Sequence, residues 1–380
     1  MATEELMADK PKRNKRRGFL ITMGVLVGLC LLVSTITTLT NIGLPQTEDS
    51  ERLPAVDKAR LAEALQLKSA LGNQIWPGWG DMQFPNIIWN HAYEFLVGYP
   101  GLPPAGWEAV PGDTFHGQAY YRRPAQDPQN FAMPVGDLWA GSMATKTEMD
   151  AFLIGTFREV FPPPLKQIFP YRLFIQPSET QIGGVLHEDF HVFELQSAPA
   201  RLNEAEQAHS HGDAYEAAAE SFTAELKQES ALLAQALAEK SDSEAADLIL
   251  EFLQSRDTRR QTYNLTPTLI AYERWLEWEE GMAKYVEVAS LRQAYQSAGY
   301  SALPEMADDP YFKSYQLFNR RWSQEMTQLR NLSGSQETRF YMLGMAEAFL
   351  LDRLMPDWKD QVMQEGVFLE DLLRQAVGMN

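Results

Sequence analysis

The chain carries a single cysteine, Cys30, in 380 residues. One thiol excludes a disulfide framework and any metal site built on cysteines. The core must therefore hold without cross-links, and a metal ion would have to be bound by histidines and carboxylates. Positive charge is scarce too: 33 Lys and Arg stand against 51 Asp and Glu, a net of −18. The deficit is uneven. Lys10, Lys12, Arg13, Lys15, Arg16 and Arg17 outnumber Glu4, Glu5 and Asp9 near the start, so the remainder carries about −21. A body of that sign repels phosphate backbones, which excludes nucleic acid as a partner. Apolar residues are plentiful, at 45% with 9 Trp, 14 Tyr and 19 Phe, and this excludes global disorder.

From Gly18 to Thr40 there is no charge, and Leu, Val and Ile dominate. At ~1.5 Å per residue this run reaches about 34 Å, enough to cross a hydrocarbon core of about 30 Å. The basic cluster just before it predicts a cytoplasmic N-terminus and a body outside the membrane. A cleaved signal peptide fits less well, since its apolar stretch is usually about 7–15 residues long with a small-x-small cleavage site. The large Leu29 before Cys30 likewise argues against a lipoprotein signal. The chain is thus expected to run as a basic tail (1–17), a transmembrane anchor (18–40) and a stalk (41–57), then the body.

In the body a helix is expected over 56–72. Strands are expected at Asn86–Trp89, Gln118–Arg122 and Phe131–Val135, set among turn signals such as Pro103-Pro104 and Pro111-Gly112. A helix at 147–160 should stop at Pro162-Pro163-Pro164, and the apolar run Tyr171–Gln176 reads as a strand. Ser178 and Gln181 form a capping-box signature for the next helix. Beyond Ala200 the pattern is helical, with caps at Ser241 and at Thr266-Pro267 and further helices near 312–330, 335–354 and 358–376. The expectation is an α+β fold: a mixed α/β lobe over 58–200 that holds the active-site helix, and a helical lobe over 201–380.

Within the helix opened at Ser178 stands His187-Glu188-Asp189-Phe190-His191, an H-E-x-x-H arrangement. Residues four apart share a helical face, so both imidazoles can reach one metal ion. Glu188 is turned by ~100° from His187, at the edge of that face, where it can approach a metal-activated water without binding the metal. Zinc brings the pKa of such a water towards ~7 and polarises a carbonyl, and Glu188 is the expected general base. Asp189 puts a charge where this pattern is usually uncharged.

A catalytic zinc site needs a third protein ligand. Downstream runs Trp278-Glu279-Glu280-Gly281-Met282-Ala283-Lys284-Tyr285. Gly281 weakens a helix by about 1 kcal/mol relative to Ala, which implies close helix–helix approach. Glu280 lies beside the apolar stripe of Tyr272, Leu276, Ala283 and Val286, where a carboxylate wants a partner. This segment resembles the E-G-x-A-x-Y element that follows H-E-x-x-H in the gluzincin branch of zincin metallopeptidases. The resemblance covers residues 183–192 and 272–287. It implies a zincin-like fold, a Zn2+ ion held by His187, His191 and Glu280, and hydrolysis of a peptide or protein substrate with Glu188 as the base. Glu279 and Glu277 stand as substitutes for Glu280, because a long acidic helical insertion, about 201–260, separates the two elements.

Other residues weigh less in the reading. His209 and His211 point ~200° apart on a helix and read as a solvated turn. His91 and His116 read as structural. Tyr285, Arg339 and Tyr341 are candidates for stabilising an oxyanion, and Glu273, Glu277 and Glu287 share the face of Glu280 as possible supports. The competing expectation is a catalytically silent zincin-like module that binds a partner at the cell envelope, which would not need Glu188.

Overall fold

The computed structural model describes residues 13–47, 49–163, 165–332 and 337–379. The start of the basic tail and the beginning of the helix expected at 335 lie outside them. The apolar run forms α1 (Arg13–Thr40), and α2 (Ala55–Ile75) follows. Six strands come next: β1 (Asn86–Trp89), β2 (Tyr93–Val97), β3 (Glu108–Ala109), β4 (Tyr121–Pro124), β5 (Phe131–Val135) and β6 (Leu138–Ala144). β1 and β5 fall where the turn signals put them, while β4 starts three residues later than expected. β6 was not expected, because Ala140, Gly141 and Ser142 have little intrinsic preference for a strand. They are small because a helix packs on them.

After α3 (Lys146–Val160) and α4 (Leu165–Ile168), the run Tyr171–Gln176 is a 3-10 turn over Tyr171–Phe174 and not the expected strand. Ring packing takes the place of a partner strand there: Phe174 stacks on Phe157 with centroids 3.9 Å apart. The next helix, α5 (Ser178–Ser197), opens on schedule but without its capping box. Ser178 donates its hydroxyl to Asp309 at 2.6 Å, and Glu179 accepts from the backbone N–H groups of Lys313 and Tyr315. Tertiary partners have replaced the local ones.

The remainder of the chain is helical: α6 (Pro199–Ala208), α7 (Gly212–Ala219), α8 (Thr223–Ala238), α9 (Asp242–Thr262), α10 (Pro267–Gln296), α11 (Phe318–Asn331), α12 (Thr338–Leu354), α13 (Trp358–Val362) and α14 (Leu369–Ala376). The two caps read from sequence hold, with Ser241 accepting from Glu244 N and Thr266 from Leu269 N. The helix expected at 358–376 is two, interrupted near Gly366, whose φ of +74° no helix tolerates. The protein is therefore mixed α+β and mostly helical.

By contacts the chain falls into two compact units. One combines residues up to Thr47 with 147–176. Its helix α1 is long and apolar enough to cross a membrane, with a mean hydropathy of 2.2 over Gly18–Thr35. Beside it Leu44, Ile154 and Tyr171 form a small core, against which Phe157, Phe161, Phe169 and Phe174 pack.

The other unit holds Glu48–Lys146 and Pro177 onward. Its sheet has the order β3-β4-β2-β1-β6-β5, with β1 and β6 parallel and every other pair antiparallel. Helix α5 lies across β6, and α2 packs on α5 through Trp76 and Trp79 against Phe190, at 4.9 and 6.0 Å. The other side of α5 meets α10, which in turn packs on α12. There Gly281 faces Gly344 so closely that a Cβ on Gly281 would come 2.5 Å from the Gly344 Cα. The helical part is tied by buried guanidinium groups. Arg256 reaches Glu277, Glu347 and Glu370, and Arg259 and Arg260 converge on Glu273.

Candidate functional site

Helix α5 turns His187, Glu188 and His191 to one side, with ligand-capable atoms of all three within 4.8 Å of one another. Helix α10 brings Glu280 opposite. Its Oε2 lies 3.1 Å from His187 Nε2 and 3.5 Å from His191 Nε2. The close α10–α12 contact at Gly281 sits one residue away, so the glycine that brings the helices together also sets the position of Glu280.

With metal–ligand bonds of about 2.1 Å, neighbouring ligand atoms around a tetrahedral zinc ion stand about 3.4 Å apart, and the two distances from Glu280, 3.1 and 3.5 Å, lie on either side of that value. His191 Nε2 is buried and makes no hydrogen bond among the described residues, while its Nδ1 lies 2.8 Å from the buried Glu194. A carboxylate behind a ligating imidazole orients the ring and raises its basicity. The electrostatics ask for a cation as well. Burial alone would lower the pKa of His191, yet Glu194 and Glu280 hold it well above the usual imidazole value. Burial would likewise raise Glu280, but the two imidazoles hold it well below the usual carboxylate range. Positive charge is favoured between these groups, as a proton or as a metal ion.

Glu188 is buried like His187 and Glu280 beside it. Burial, reinforced by Glu280, Glu287 and Asp189, pushes its pKa well above the usual range, with His191 opposing. A carboxylate raised in this way is a stronger base than an ordinary one. Behind His187, the Glu287 carboxylate lies 3.8 Å from Nδ1 and is ion-paired with Lys284 at 3.0 Å and Arg321 at 2.6 Å. The Tyr341 ring stacks on His187 at 5.7 Å, and burial and Glu280 raise its phenol well above the usual value. Phe131, on β5, packs against His191 at 4.7 Å.

Asp189 faces away from this cluster. It is fully buried, accepts from Asn86 Nδ2 at 2.5 Å and lies 3.9 Å from Lys68 Nζ. A Cβ at Gly141 on β6 would come 2.5 Å from its Oδ1, so the strand is bare where the carboxylate passes. Burial raises its pKa to about 6 despite Lys68. The charge that looked out of place in the motif is thus part of the α5–sheet contact.

The structure separates the remaining candidates. Of the substitutes for Glu280, Glu279 pairs with His209 at 2.9 Å and Glu277 with Arg256 at 2.6 Å. Of the possible supports, Glu273 belongs to the arginine network and only Glu287 backs the cluster. The Tyr285 hydroxyl donates to Asp352, and Arg339 pairs with Glu216. His209 departs from a solvated turn: Glu279, with Glu337 behind, raises its pKa to about 10. With Glu206 it forms a second group of potential ligands, open to solvent on the Glu206 side. Glu194 was missed, although it stands three residues after His191 and seven after His187 on the same helical face, a visible signal. No protein-family model, curated protein or solved structure matches this chain.

Proposed function

We propose that the chain is a zinc metallopeptidase of gluzincin-like, zincin-like build, anchored by α1 with its N-terminus in the cytoplasm and its body outside. The observation that carries this reading is the convergence of His187 Nε2, His191 Nε2 and Glu280 Oε2 at 3.1 and 3.5 Å, with Glu188 beside them. His187, His191 and Glu280 hold the ion. When bound, zinc supplies a Lewis acid that acidifies water and polarises a carbonyl. Glu188 takes the proton from the attacking water and returns it to the leaving amine. Tyr341, held against His187, offers a phenol O–H to the oxygen on which negative charge develops. Glu194 and Glu287 keep the imidazoles oriented.

The sheet supports a peptide as substrate. Among the described residues β5 pairs only with β6, so its other edge offers unpaired backbone groups to an extended chain, next to His191 through Phe131.

The test uses the full chain in detergent micelles. It is expected to hold about one zinc and to cleave members of a mixed peptide library read by mass spectrometry. Glu188→Gln keeps size and hydrogen-bonding shape, so it should retain zinc and thermal stability and lose ~10²–10⁴-fold in rate. An equally active Glu188→Gln variant would rule out this mechanism. Stoichiometric zinc in a His187→Ala, His191→Ala double variant would rule out the site, and a zinc-loaded chain that cleaves nothing would favour a silent binding module.

A further inference from the structure

The unit that contains α1 also holds residues 147–176, and their surface is unlike that of the other unit. Phe152 is 76% exposed, Leu173 73%, Val160 71% and Leu165 41%. Four exposed large apolar side chains thus lie in one short segment, and among the described residues of the other unit only four others are found, Leu102, Trp139, Tyr295 and Leu317. Across 147–176 three bases, Arg158, Lys166 and Arg172, balance three acids in a chain of net −18, and two of those acids, Glu148 and Asp150, are buried, which leaves Glu159 as the acid at the surface. All three bases are exposed. Exposed apolar side chains mixed with bases are the composition of a segment that lies in a membrane interface, its apolar groups among the acyl chains and its cations at the headgroups.

The height of this segment is set by Asn41. It follows directly on the last residue of α1, and its side chain donates to Phe169 O at 2.8 Å and accepts from Tyr171 N at 2.9 Å. Both halves of one amide thus clamp the backbone around Pro170 to the end of the apolar helix. Helix α4 also packs on α1.

We propose that residues 147–176 form a membrane-interfacial foot, in which Phe152, Val160, Leu165 and Leu173 enter the lipid leaflet on the body's side, beside the anchor. The inference rests on the reading that α1 spans the bilayer. If it does, Asn41 lies at the membrane surface and holds the foot there, so the exposed apolar groups have lipid as their partner. The foot gives the unit that holds α1 a second attachment to the lipid, beside the spanning helix.

The test places the full chain in nanodiscs of phosphatidylcholine and phosphatidylglycerol. A polarity-sensitive fluorophore is attached to Cys30 in the parent, and to Phe152→Cys or Leu173→Cys in a Cys30→Ala background. Shallow and deep doxyl-labelled lipids then report depth. The expected result is quenching at 152 and 173 that is stronger with the shallow label, and quenching at Cys30 that is stronger with the deep one. Probes at 152 and 173 that lipid leaves unquenched, with Cys30 still quenched, would overturn the foot and leave the spanning helix standing. The same silence combined with sensitivity to dilution would assign the face to a second copy of the chain. An unquenched Cys30 would overturn the spanning reading and the foot together.

Discussion

Glu188 and Asp189 are neighbours on α5, and a helix turns them far enough apart to live in different surroundings. Glu188 looks into the histidine cluster, whereas Asp189 looks at Asn86 and Lys68 beneath the sheet. The same division separates three carboxylates on α10. Glu280 meets both imidazoles, Glu279 meets His209, and Glu277 meets Arg256. Sequence favours Glu280 and leaves Glu279 and Glu277 as substitutes, because all three carboxylates lie within one turn of the helix. The prediction at this scale is a contrast between conservative variants. Glu280→Gln should lose zinc measured by plasma emission after dialysis, and activity with it. Glu279→Gln should keep about one zinc per chain. Full zinc in the Glu280 variant, or loss only in the Glu279 variant, would move the third ligand to Glu279 and the second cluster.

At the scale of elements, the site is the meeting of α5 and α10, and it exists only because both helices are held close to their other neighbours. Gly141 admits Asp189 to β6, and Gly281 admits the backbone of α12. Sequence identified Gly281 as a contact glycine without naming its partner, since Gly344 lies on a distant helix with no local mark. Gly281→Ala should overpack this crossing and cost about 1–3 kcal/mol. The measurement is the thermal midpoint of the detergent-solubilised chain, together with its zinc affinity, which should fall because Glu280 moves with α10. A variant as stable as the parent, with unchanged zinc affinity, would mean that α10 and α12 separate freely.

At the scale of the molecule, stability in acid follows from the buried arginines. Burial would raise Glu273, but Arg260 and Arg259 hold it down to about 2, and Arg260 and Arg256 do the same for Glu370. Both folded values lie below the ordinary 4.5, so their stabilisation is complete above that pH and drains away as pH falls from about 4.5 towards 2. Each carboxylate contributes at most about 3 kcal/mol across that window. The thermal midpoint of the full chain should therefore drop steeply below pH ~4.5. A midpoint unchanged between pH ~5 and ~3 would show that these pairs add nothing to folding. The arginine network itself was not legible: nothing next to Arg256, Arg259 and Arg260 in the chain marks them as buried, and only the packing of α8, α10, α12 and α14 around α9 buries them.

What the sequence determined alone is whatever depends on neighbours in the chain. The apolar run of α1, the i, i+4 spacing of His187 and His191, and the caps at Ser241 and Thr266 are local and needed no fold to be read. What depends on distant neighbours was decided by tertiary structure. The capping box at Ser178 gave way to Asp309, the strand expected at Tyr171–Gln176 gave way to aromatic packing, and small residues became β6 because α5 rests on them. The separate partners of Glu277, Glu279 and Glu280 belong with these. A side chain's charge and spacing are written in the sequence, but its burial and the groups that face it arise only when separate elements meet.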